Sequence, residues 1–541
     1  MLFRLLCLLL FLSPSAFAQP FTQADTLRGS ITPQRAWWDV VHYDLSVDVF
    51  PADSTITGTT TITYAVLDPA ETMQLDLQHP MRLDSVVQDG RRLQVQSVGN
   101  AHFVEMAKAQ EAGSMEHVTA YFSGKPRVAP RAPWDGGFVW GQDSLGRPWI
   151  ATAVQGLGAS AWWPLKDTQA DEPDSQRVAV SVPASLTAVS NGRLRQQTDH
   201  SDAQGNARTA YVWAVTNPIN NYNISLNIGH YAHIEDTFAG ESGPLTLDYY
   251  PLDYNEARAR RQFDISKPML ACFEHWFGPF PWYEDGYTLV ETPHLGMEHQ
   301  SAIAYGNEYQ NGYRGRDLSG TGHGLLWDFI VIHEAGHEWF GNNISTDDIA
   351  DMWVHESFTN YSENLFTECQ QGRDAGAAYV IGTRANVQND KPIVGPYGVN
   401  QRGSGDMYYK GGNMLHTIRH IIADDDQWRA ILRGLNETFG KKTVTGLDVQ
   451  RYMSSTAGIA LDKVFEQYLT TTQIPVFEYR LAGPTLWYRW TNTVDQFDMP
   501  LDVQLTDAGP TRLDPTAAWQ TVPATFVRVD QDFYVDTRRV D

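Results

Sequence analysis

The period of the hydrophobic pattern changes twice along this chain, and this limits the folds open to it. Between about residues 37 and 233, apolar side chains alternate with polar ones, as at Tyr43, Leu45 and Val47. Such alternation predicts half-buried antiparallel strands. Residues 255–469 carry apolar side chains every three or four positions instead, which predicts helices. Alternation returns near the end of the chain, so the predicted order is β-rich, α-rich, β-rich.

A chain of 541 residues is too long for one compact core. At roughly 150 residues per domain we expect about three folding units. Residues 238–245 concentrate Gly, Ser and Pro where the pattern changes, so we place a boundary there. The prediction is a multidomain α+β protein with an N-terminal antiparallel β domain (19–240), an α-rich domain (241–475) and a small C-terminal β-sandwich module (476–541).

The first residues resemble an export signal. Arg4 precedes an apolar run at residues 5–12, and the letters AFA follow shortly afterwards. This combination predicts a secretory signal peptide at residues 1–18, and hence a periplasmic or extracellular protein. The apolar run is shorter than the roughly 20 residues that a helix needs to cross a bilayer. We therefore expect no stable membrane insertion after the signal is cleaved.

Charge and composition exclude other classes of protein. Hydrophobic residues make up 42% of the chain, enough for large cores, so a mainly disordered chain is excluded. The formal net charge of −24 would repel a phosphate backbone over most of the surface. We therefore expect no nucleic-acid partner.

Two cysteines remain once the signal is removed. Cys272 and Cys369 can form one disulfide in an oxidising compartment, or they can stay as two buried thiols. The sequence leaves both alternatives open.

The stretch HEAGH carries the clearest chemistry. His333 and His337 lie four residues apart in a helix predicted over residues 325–341, so they face the same way and can occupy two corners of a zinc tetrahedron. Glu334 points to a neighbouring sector, where it can reach a water at the metal. The pattern is H-E-x-x-H, which is typical of zinc peptidases. The alternative is a pair of buried histidines without a metal.

A third ligand follows in a second predicted helix. Glu356 lies nineteen residues after His337, in a segment that can run back beside the first helix. Three protein ligands leave a fourth position open, as in catalytic zinc sites. Asp351 and Glu363 are candidates to accept hydrogen bonds from the ligating histidines. The alternative for these two carboxylates is an ordinary surface position.

These segments resemble the aminopeptidase N family of gluzincin metallopeptidases, whose relatives include leukotriene hydrolase. The resemblance rests on HEAGHEWFGN, on WVHESFTNYSE, on LGMEHQSAIAY and on MYYKGG, in this order along the chain. It implies a thermolysin-like catalytic domain that holds one zinc ion per chain. Leu295 and His299 depart from the family's G-x-M-E-N motif, which affects the details of the pocket beside Glu298.

The resemblance implies a role for each matching residue. Glu334 would be the general base, and Tyr408 would donate a hydrogen bond to the developing oxyanion. Glu298 would bind the free α-ammonium group of the substrate, with Gln155 completing that pocket. Gly296 and Met297 would line the extended substrate, since a glycine permits close approach.

The predicted function is therefore that of a secreted zinc-dependent aminopeptidase, which hydrolyses the N-terminal peptide bond of peptides with a free N-terminus. One alternative is a thermolysin-type endopeptidase, which shares the zinc motif but needs no anchor for an amine. Glu298 distinguishes the two. Another is a binding or scaffold homologue that has lost catalysis, which would be expected to have a broken ligand set. No residue specifically supports the epoxide hydrolysis of leukotriene hydrolase.

Overall fold

The computed structural model describes residues 21–541, and the predicted signal peptide at residues 1–18 lies outside them. The described chain follows the predicted order: a β-rich part, an α-rich part and a small β-rich part, which confirms the predicted fold class. In residues 21–541, no helix combines the length and the apolar character needed to cross a membrane.

The N-terminal part is built on an eight-stranded sheet in the order β13-β14-β11-β1-β2-β8-β4-β5, with smaller sheets β12-β15-β10-β9 and β3-β7-β6 beside it. Two short helices precede it, α1 (Gln23–Gly29) and α2 (Pro33–Ala36). The strands are β1 (Trp38–Phe50), β2 (Thr55–Val66), β3 (Ala70–Asp76), β4 (Arg82–Gln88), β5 (Arg91–Arg92), β6 (Gln94–Val98), β7 (Ala101–Gln110), β8 (Met115–Gly124), β9 (Gly137–Gln142), β10 (Pro148–Ala153), β11 (Ser175–Pro183), β12 (Thr187–Val189), β13 (Arg193–Ser201), β14 (Ala207–Val215) and β15 (Asn227–Gly229). The alternating apolar side chains of β1 are buried, as predicted.

A five-stranded sheet begins the α-rich part. Its strands are β16 (Ile234–Gly240), β17 (Gly243–Tyr250), β18 (Tyr287–Glu291), β19 (Gly296–Met297) and β20 (Ile303–Tyr305). Their order in the sheet is β16-β17-β18-β20-β19. β17, β18 and β20 are parallel, while β16 and β19 run antiparallel to their neighbours. The predicted boundary between residues 240 and 241 falls at the turn of the β16–β17 hairpin. The Gly-rich segment closes this hairpin, so both sides of the predicted boundary belong to one sheet.

Helices then dominate, and the two with the metal-binding motifs lie at their centre. These helices are α3 (Glu256–Gln262), α4 (Ser266–Phe277), α5 (Phe329–Gly336), α6 (Trp353–Gln371), α7 (Arg373–Gly382), α8 (Tyr409–Ile422), α9 (Asp425–Phe439), α10 (Gly446–Ala457) and α11 (Asp462–Thr470). α6 is buried along most of its length and packs against α4, α5, α7 and α8. The short strands β21 (Ile344–Thr346) and β22 (Lys442–Val444) pair in parallel beside them.

The helix that carries the H-E-x-x-H motif is shorter than the pattern predicted. We expected a helix over residues 325–341, but α5 ends at Gly336. It begins where it does because the Asp328 carboxylate accepts the N–H groups of Ile330 and Val331, which caps the first turn. A distorted turn follows it, and helical geometry is lost at Phe340 (φ −128°, ψ 103°) and at Gly341, whose φ of 124° suits a glycine.

The C-terminal module consists of two small sheets. Its strands are β23 (Val476–Ala482), β24 (Thr485–Thr491), β25 (Leu501–Thr506), β26 (Gly509–Leu513), β27 (Gln520–Pro523), β28 (Arg528–Val529) and β29 (Asp536–Arg539). The strand orders in the two sheets are β27-β24-β23-β29 and β26-β25-β28. Phe477 and Trp490 of this module belong to the same apolar cluster as Phe465 of α11. The module therefore extends the core of the α-rich part, whereas the N-terminal sheets have a core of their own.

A disulfide joins Cys272 of α4 to Cys369 of α6, which decides between the two alternatives that the sequence left open. The two residues are 97 positions apart in the chain. Closing so long a loop removes much of the conformational freedom of the unfolded chain.

Replacing both cysteines by serine in a chain that starts at residue 19 should therefore lower the free energy of unfolding by about 2–5 kcal/mol. Thermal or denaturant unfolding measures the change, and a reductant should destabilise the parent chain but not the variant. Two free thiols in the denatured, unreduced parent would contradict the disulfide.

Candidate metal centre

Three buried side chains, from α5, from the residue after it and from α6, converge on one point. His333 lies in the last turns of α5, His337 directly follows that helix, and Glu356 lies in the first turn of α6. One oxygen of Glu356, Oε2, is 3.8 Å from His333 Nε2 and 3.4 Å from His337 Nε2. The three ligand atoms lie within 4.8 Å of one another, and all three residues are buried. The structure thus brings together the three predicted metal ligands.

α5 and α6 approach each other closely at Gly336. A Cβ atom at this position would lie 2.5 Å from the Ser362 hydroxyl oxygen and 3.2 Å from the Thr359 methyl carbon. The first contact is too short for a real Cβ atom and the second is tight, so a larger residue would force Ser362 and Thr359, or the helices themselves, to shift. The glycine inside the H-E-x-x-H motif therefore sets the helix spacing that lets Glu356 reach the histidines.

The donor atoms fit a divalent metal ion. Within residues 21–541, Glu356 Oε2 is buried and has no hydrogen-bond partner, although two imidazole nitrogens face it at distances longer than a good hydrogen bond. Burial disfavours the charged Glu356 carboxylate, but the adjacent His337 outweighs this and lowers its pKa to about 2. Two imidazoles and one ionised carboxylate form the ligand set of a catalytic zinc site with an open fourth position.

Each histidine is oriented by an acceptor behind it. His333 Nδ1 lies 2.8 Å from Glu363 Oε1, and His337 Nδ1 lies 3.0 Å from the Phe340 carbonyl oxygen. Because both partners accept, Nδ1 carries the proton in each ring and Nε2 presents its lone pair to the metal position. The Tyr379 hydroxyl donates to the other Glu363 oxygen at 2.6 Å and fixes that carboxylate.

Asp351 does not take the role that we expected. Its carboxylate accepts the backbone N–H of Gly446 at 2.9 Å and the Tyr397 hydroxyl at 3.0 Å. It lies just before α6, where it binds the start of α10 and contacts neither ligating histidine. The Phe340 carbonyl fills the place predicted for a second carboxylate, and a backbone group leaves no signal in side-chain patterns.

Glu334 lies beside the metal position in a cluster of acidic groups. One of its carboxylate oxygens is within 4.8 Å of ligand atoms of Glu298 and His337. Burial raises the pKa of Glu334 to about 7; His333 opposes this shift and Glu298 adds to it. A carboxyl group with a pKa near neutrality can both accept and return a proton.

Glu298 lies at the junction of the N-terminal and α-rich parts. Gln155 Nε2 and the Tyr222 hydroxyl both donate to Glu298 Oε1, the latter at 3.0 Å. Asn342 holds the Glu298 backbone by donating to its carbonyl oxygen at 2.9 Å. Gln155 therefore lies where we expected it, whereas no sequence pattern pointed to Tyr222.

Gly296 and Met297 form β19, at the edge of the five-stranded sheet. A Cβ atom on Gly296 would lie 2.7 Å from the Glu334 carboxylate, so the glycine gives that side chain room. An edge strand has unpaired backbone groups that can bind an extended peptide.

Tyr408 lies beside the metal ligands, directly before α8. Its hydroxyl donates to Glu356 Oε1 at 3.0 Å, and its ring lies over that of His333. Lys410, the other matching residue of the motif MYYKGG, points away and donates to the Thr471 carbonyl at 2.7 Å. Tyr408 is thus at the site, while Lys410 holds the surrounding structure.

Most of the candidate residues line one cleft of about 700 Å³. They are Gln155, Gly296, Met297, Glu298, His333, Glu334, His337, Glu356, Glu363 and Tyr408. The rest of the wall combines apolar and aromatic side chains such as Trp134 and Phe329 with polar ones such as Asp135 and Arg402. A cleft of this size holds a short peptide beside the metal position.

Comparisons with known proteins match this arrangement. Residues 261–468 match the Peptidase family M1 domain. Probable aminopeptidase 2 of Sulfurisphaera tokodaii is 20% identical over 367 residues, which cover 65% of this chain and 44% of that protein. Aminopeptidase B of Mus musculus is 23% identical over 322 residues, which cover 56% of this chain and 45% of that protein.

A solved structure has the same fold. It is a mutant M1 zinc metallopeptidase of Deinococcus radiodurans bound to a Tyr-Ser-Ala substrate, with a TM-score of 0.67 and 20% identity. The match covers 83% of this chain and 98% of that one. The chain spans less than half the length of the curated relatives above. The predicted resemblance to the aminopeptidase N family is confirmed, and the matched segment contains the three metal ligands.

Glu363 should determine metal affinity, whereas Asp351 should not. Changing Glu363→Gln weakens the acceptor behind His333, so we expect zinc affinity to fall about 10- to 100-fold. The matched control Asp351→Asn changes a buried carboxylate that contacts neither histidine. Competition with a chromophoric chelator measures both, and equal affinities in the two variants would refute this assignment.

Proposed function

We propose that this protein is a zinc-dependent aminopeptidase that removes N-terminal residues from peptides. The observation that carries the proposal is the presence of Glu298 in the same cleft as His333, His337 and Glu356. A peptidase needs the metal ligands, but only an exopeptidase needs a separate carboxylate for the substrate's ammonium group. The relatives named as aminopeptidases, and the neighbour named as a zinc metallopeptidase, support the same function.

His333, His337 and Glu356 would hold one zinc ion per chain. A zinc ion held there would supply Lewis acidity, lowering the pKa of a water and polarising the scissile carbonyl group. Proton transfer, stabilisation of the oxyanion and binding of the ammonium group depend on side chains that the structure describes.

Glu334 acts as the general base. Its carboxylate takes a proton from the attacking water and delivers it to the leaving amine, which is otherwise a poor leaving group. Burial raises its pKa to about 7, so the carboxyl group can hold the proton between these two transfers.

Tyr408 stabilises the charge that develops on the carbonyl oxygen. Its hydroxyl lies at the metal ligands, 3.0 Å from Glu356 Oε1. A donor held in a buried site in this way typically contributes about a hundredfold or more to the rate.

Glu298 binds the free ammonium group and so sets where the peptide is cut. Gln155 and Tyr222 hold its carboxylate from the N-terminal side. With the chain end fixed there and the peptide along β19, the first peptide bond lies at the metal position. Gly296 and Met297 provide the edge along which the peptide extends.

The second candidate is a thermolysin-type endopeptidase, which uses the same metal ligands. The buried carboxylate of Glu298 argues against it, since an internal peptide has no charge to pair with this group. A non-catalytic scaffold is opposed by the complete set of ligands and by Glu334 beside them.

We also propose that the protein is exported to the periplasm or the medium through its first 18 residues. The charged start, the short apolar run and the AFA site support this. Amino-terminal sequencing of exported protein tests it, and a chain that still began at Met1 would contradict it.

An amino-acid anilide and its N-acetylated twin distinguish the first two candidates. The zinc-loaded protein should cleave the free amine and leave the acetylated twin intact, because acetylation removes the charge that Glu298 binds. In Glu298→Gln, kcat/KM for the free amine should fall by about a hundredfold, since a buried charge pair is lost. Asp135→Asn, at the edge of the cleft, is the matched control. Equal cleavage of the twins would exclude the exopeptidase assignment.

Changing Glu334→Gln removes the base and keeps the shape of the side chain. We expect kcat to fall by roughly 10²- to 10⁴-fold, while the zinc content stays at the parental value. Metal analysis of the same preparation separates loss of the base from loss of the ion. A variant that kept parental kcat would require another base.

A further inference from the structure

A second group of metal-binding side chains lies where α8 meets the C-terminal module. His416 and His420 belong to α8, and Asp532 belongs to the loop before β29. His416 Nε2 is 3.0 Å from Asp532 Oδ1, and His420 Nε2 is 3.3 Å from Asp532 Oδ2. One ligand atom from each residue lies within 4.8 Å of the others. None of the three lines the cleft of the metal centre.

The spacing of the two histidines repeats that of the first centre, whereas here each histidine faces a different oxygen of the carboxylate. His416 and His420 are four residues apart on one helix, like His333 and His337, so both rings project from the same face. Zinc-to-donor bonds of about 2.0–2.1 Å at tetrahedral angles place neighbouring donor atoms about 3.3 Å apart. The two nitrogen-to-oxygen distances in this group are close to that separation.

The hydrogen bond of His420 Nδ1 determines how the other ring nitrogen, Nε2, faces the Asp532 carboxylate. Its Nδ1 lies 2.9 Å from the carbonyl oxygen of His416, which can only accept, so Nδ1 carries the proton. In the neutral ring, Nε2 then presents a lone pair to the Asp532 carboxylate. Two lone pairs facing each other repel, so this position holds either a proton or a metal ion.

The loop that carries Asp532 is held in place by other contacts. The Tyr534 N–H donates to the Thr417 hydroxyl at 2.9 Å, and Arg384 donates to the Gln531 carbonyl oxygen at 2.8 Å. The carboxylate is therefore already positioned against α8. A ligand set arranged before the ion arrives loses little conformational entropy on binding it.

We propose that His416, His420 and Asp532 bind a second zinc ion, which fastens the C-terminal module to α8. Solvent completes the coordination, because His420 and Asp532 remain 15% and 26% exposed while His416 is buried. α8 begins directly after Tyr408, so the ion also braces the helix that positions this tyrosine. The site is independent of the proposed peptidase activity.

The competing occupant is a proton. A doubly protonated His420 paired with Asp532, with His416 donating from Nε2, would also satisfy the three side chains without a metal. Zinc stoichiometry separates the two.

The test measures zinc per chain in the full-length mature protein, after metal stripping, incubation with zinc chloride and desalting. The parent should hold about two ions, and His420→Gln and Glu356→Gln about one each. The double variant should hold none. His117→Gln, which changes an exposed histidine outside any cluster, is the control and should match the parent.

If the parent and His420→Gln each hold one ion and Glu356→Gln holds none, the proposal is refuted and the peptidase centre stands. If Glu356→Gln keeps one ion and His420→Gln holds none, the second site stands and the first fails. Asp532→Asn, which keeps the shape of a partly exposed side chain, should repeat the His420→Gln result. Its melting temperature without zinc should equal that of the stripped parent, which excludes misfolding as the cause.

Discussion

The close approach of α5 and α6 is the contact on which the site depends. Gly336 contributes no side chain where α6 presents Ser362 and Thr359, and the close packing brings Glu356 of α6 to His333 and His337. A helix supplies two ligands at a spacing of four residues, but the third must come from a neighbour at the correct distance. The α6 helix is buried on nearly all sides, which holds that distance constant.

Burial of several carboxylates around one point is the electrostatic consequence of this packing. Glu298, Glu334 and Glu356 lie together out of water, an arrangement that is costly unless cations balance it. In the proposed function, a metal ion and a substrate ammonium group would supply those positive charges at two different places. The same repulsion that makes the cluster unstable by itself therefore favours binding of both.

The two β-rich parts contribute in different ways. The N-terminal part has its own core, and its residues Gln155 and Tyr222 donate hydrogen bonds to Glu298. The C-terminal module shares the core of the helices and contacts α8 through Asp532. One part thus positions Glu298, while the other supports the helix that follows Tyr408.

The sequence alone determined the features that depend on local spacing. Hydrophobic period predicted the order of the three parts, and the four-residue separation of His333 and His337 predicted their shared direction, because both follow from helix and strand geometry. The role expected of Asp351 was wrong, and the Phe340 carbonyl and Tyr222 were missed, because each depends on which distant segments touch. The Cys272–Cys369 disulfide and the length of α5 were likewise decided by packing and by the turn at Gly341. Tertiary structure decided these points since contacts between distant segments depend on how whole helices and sheets fit together, which no local pattern encodes.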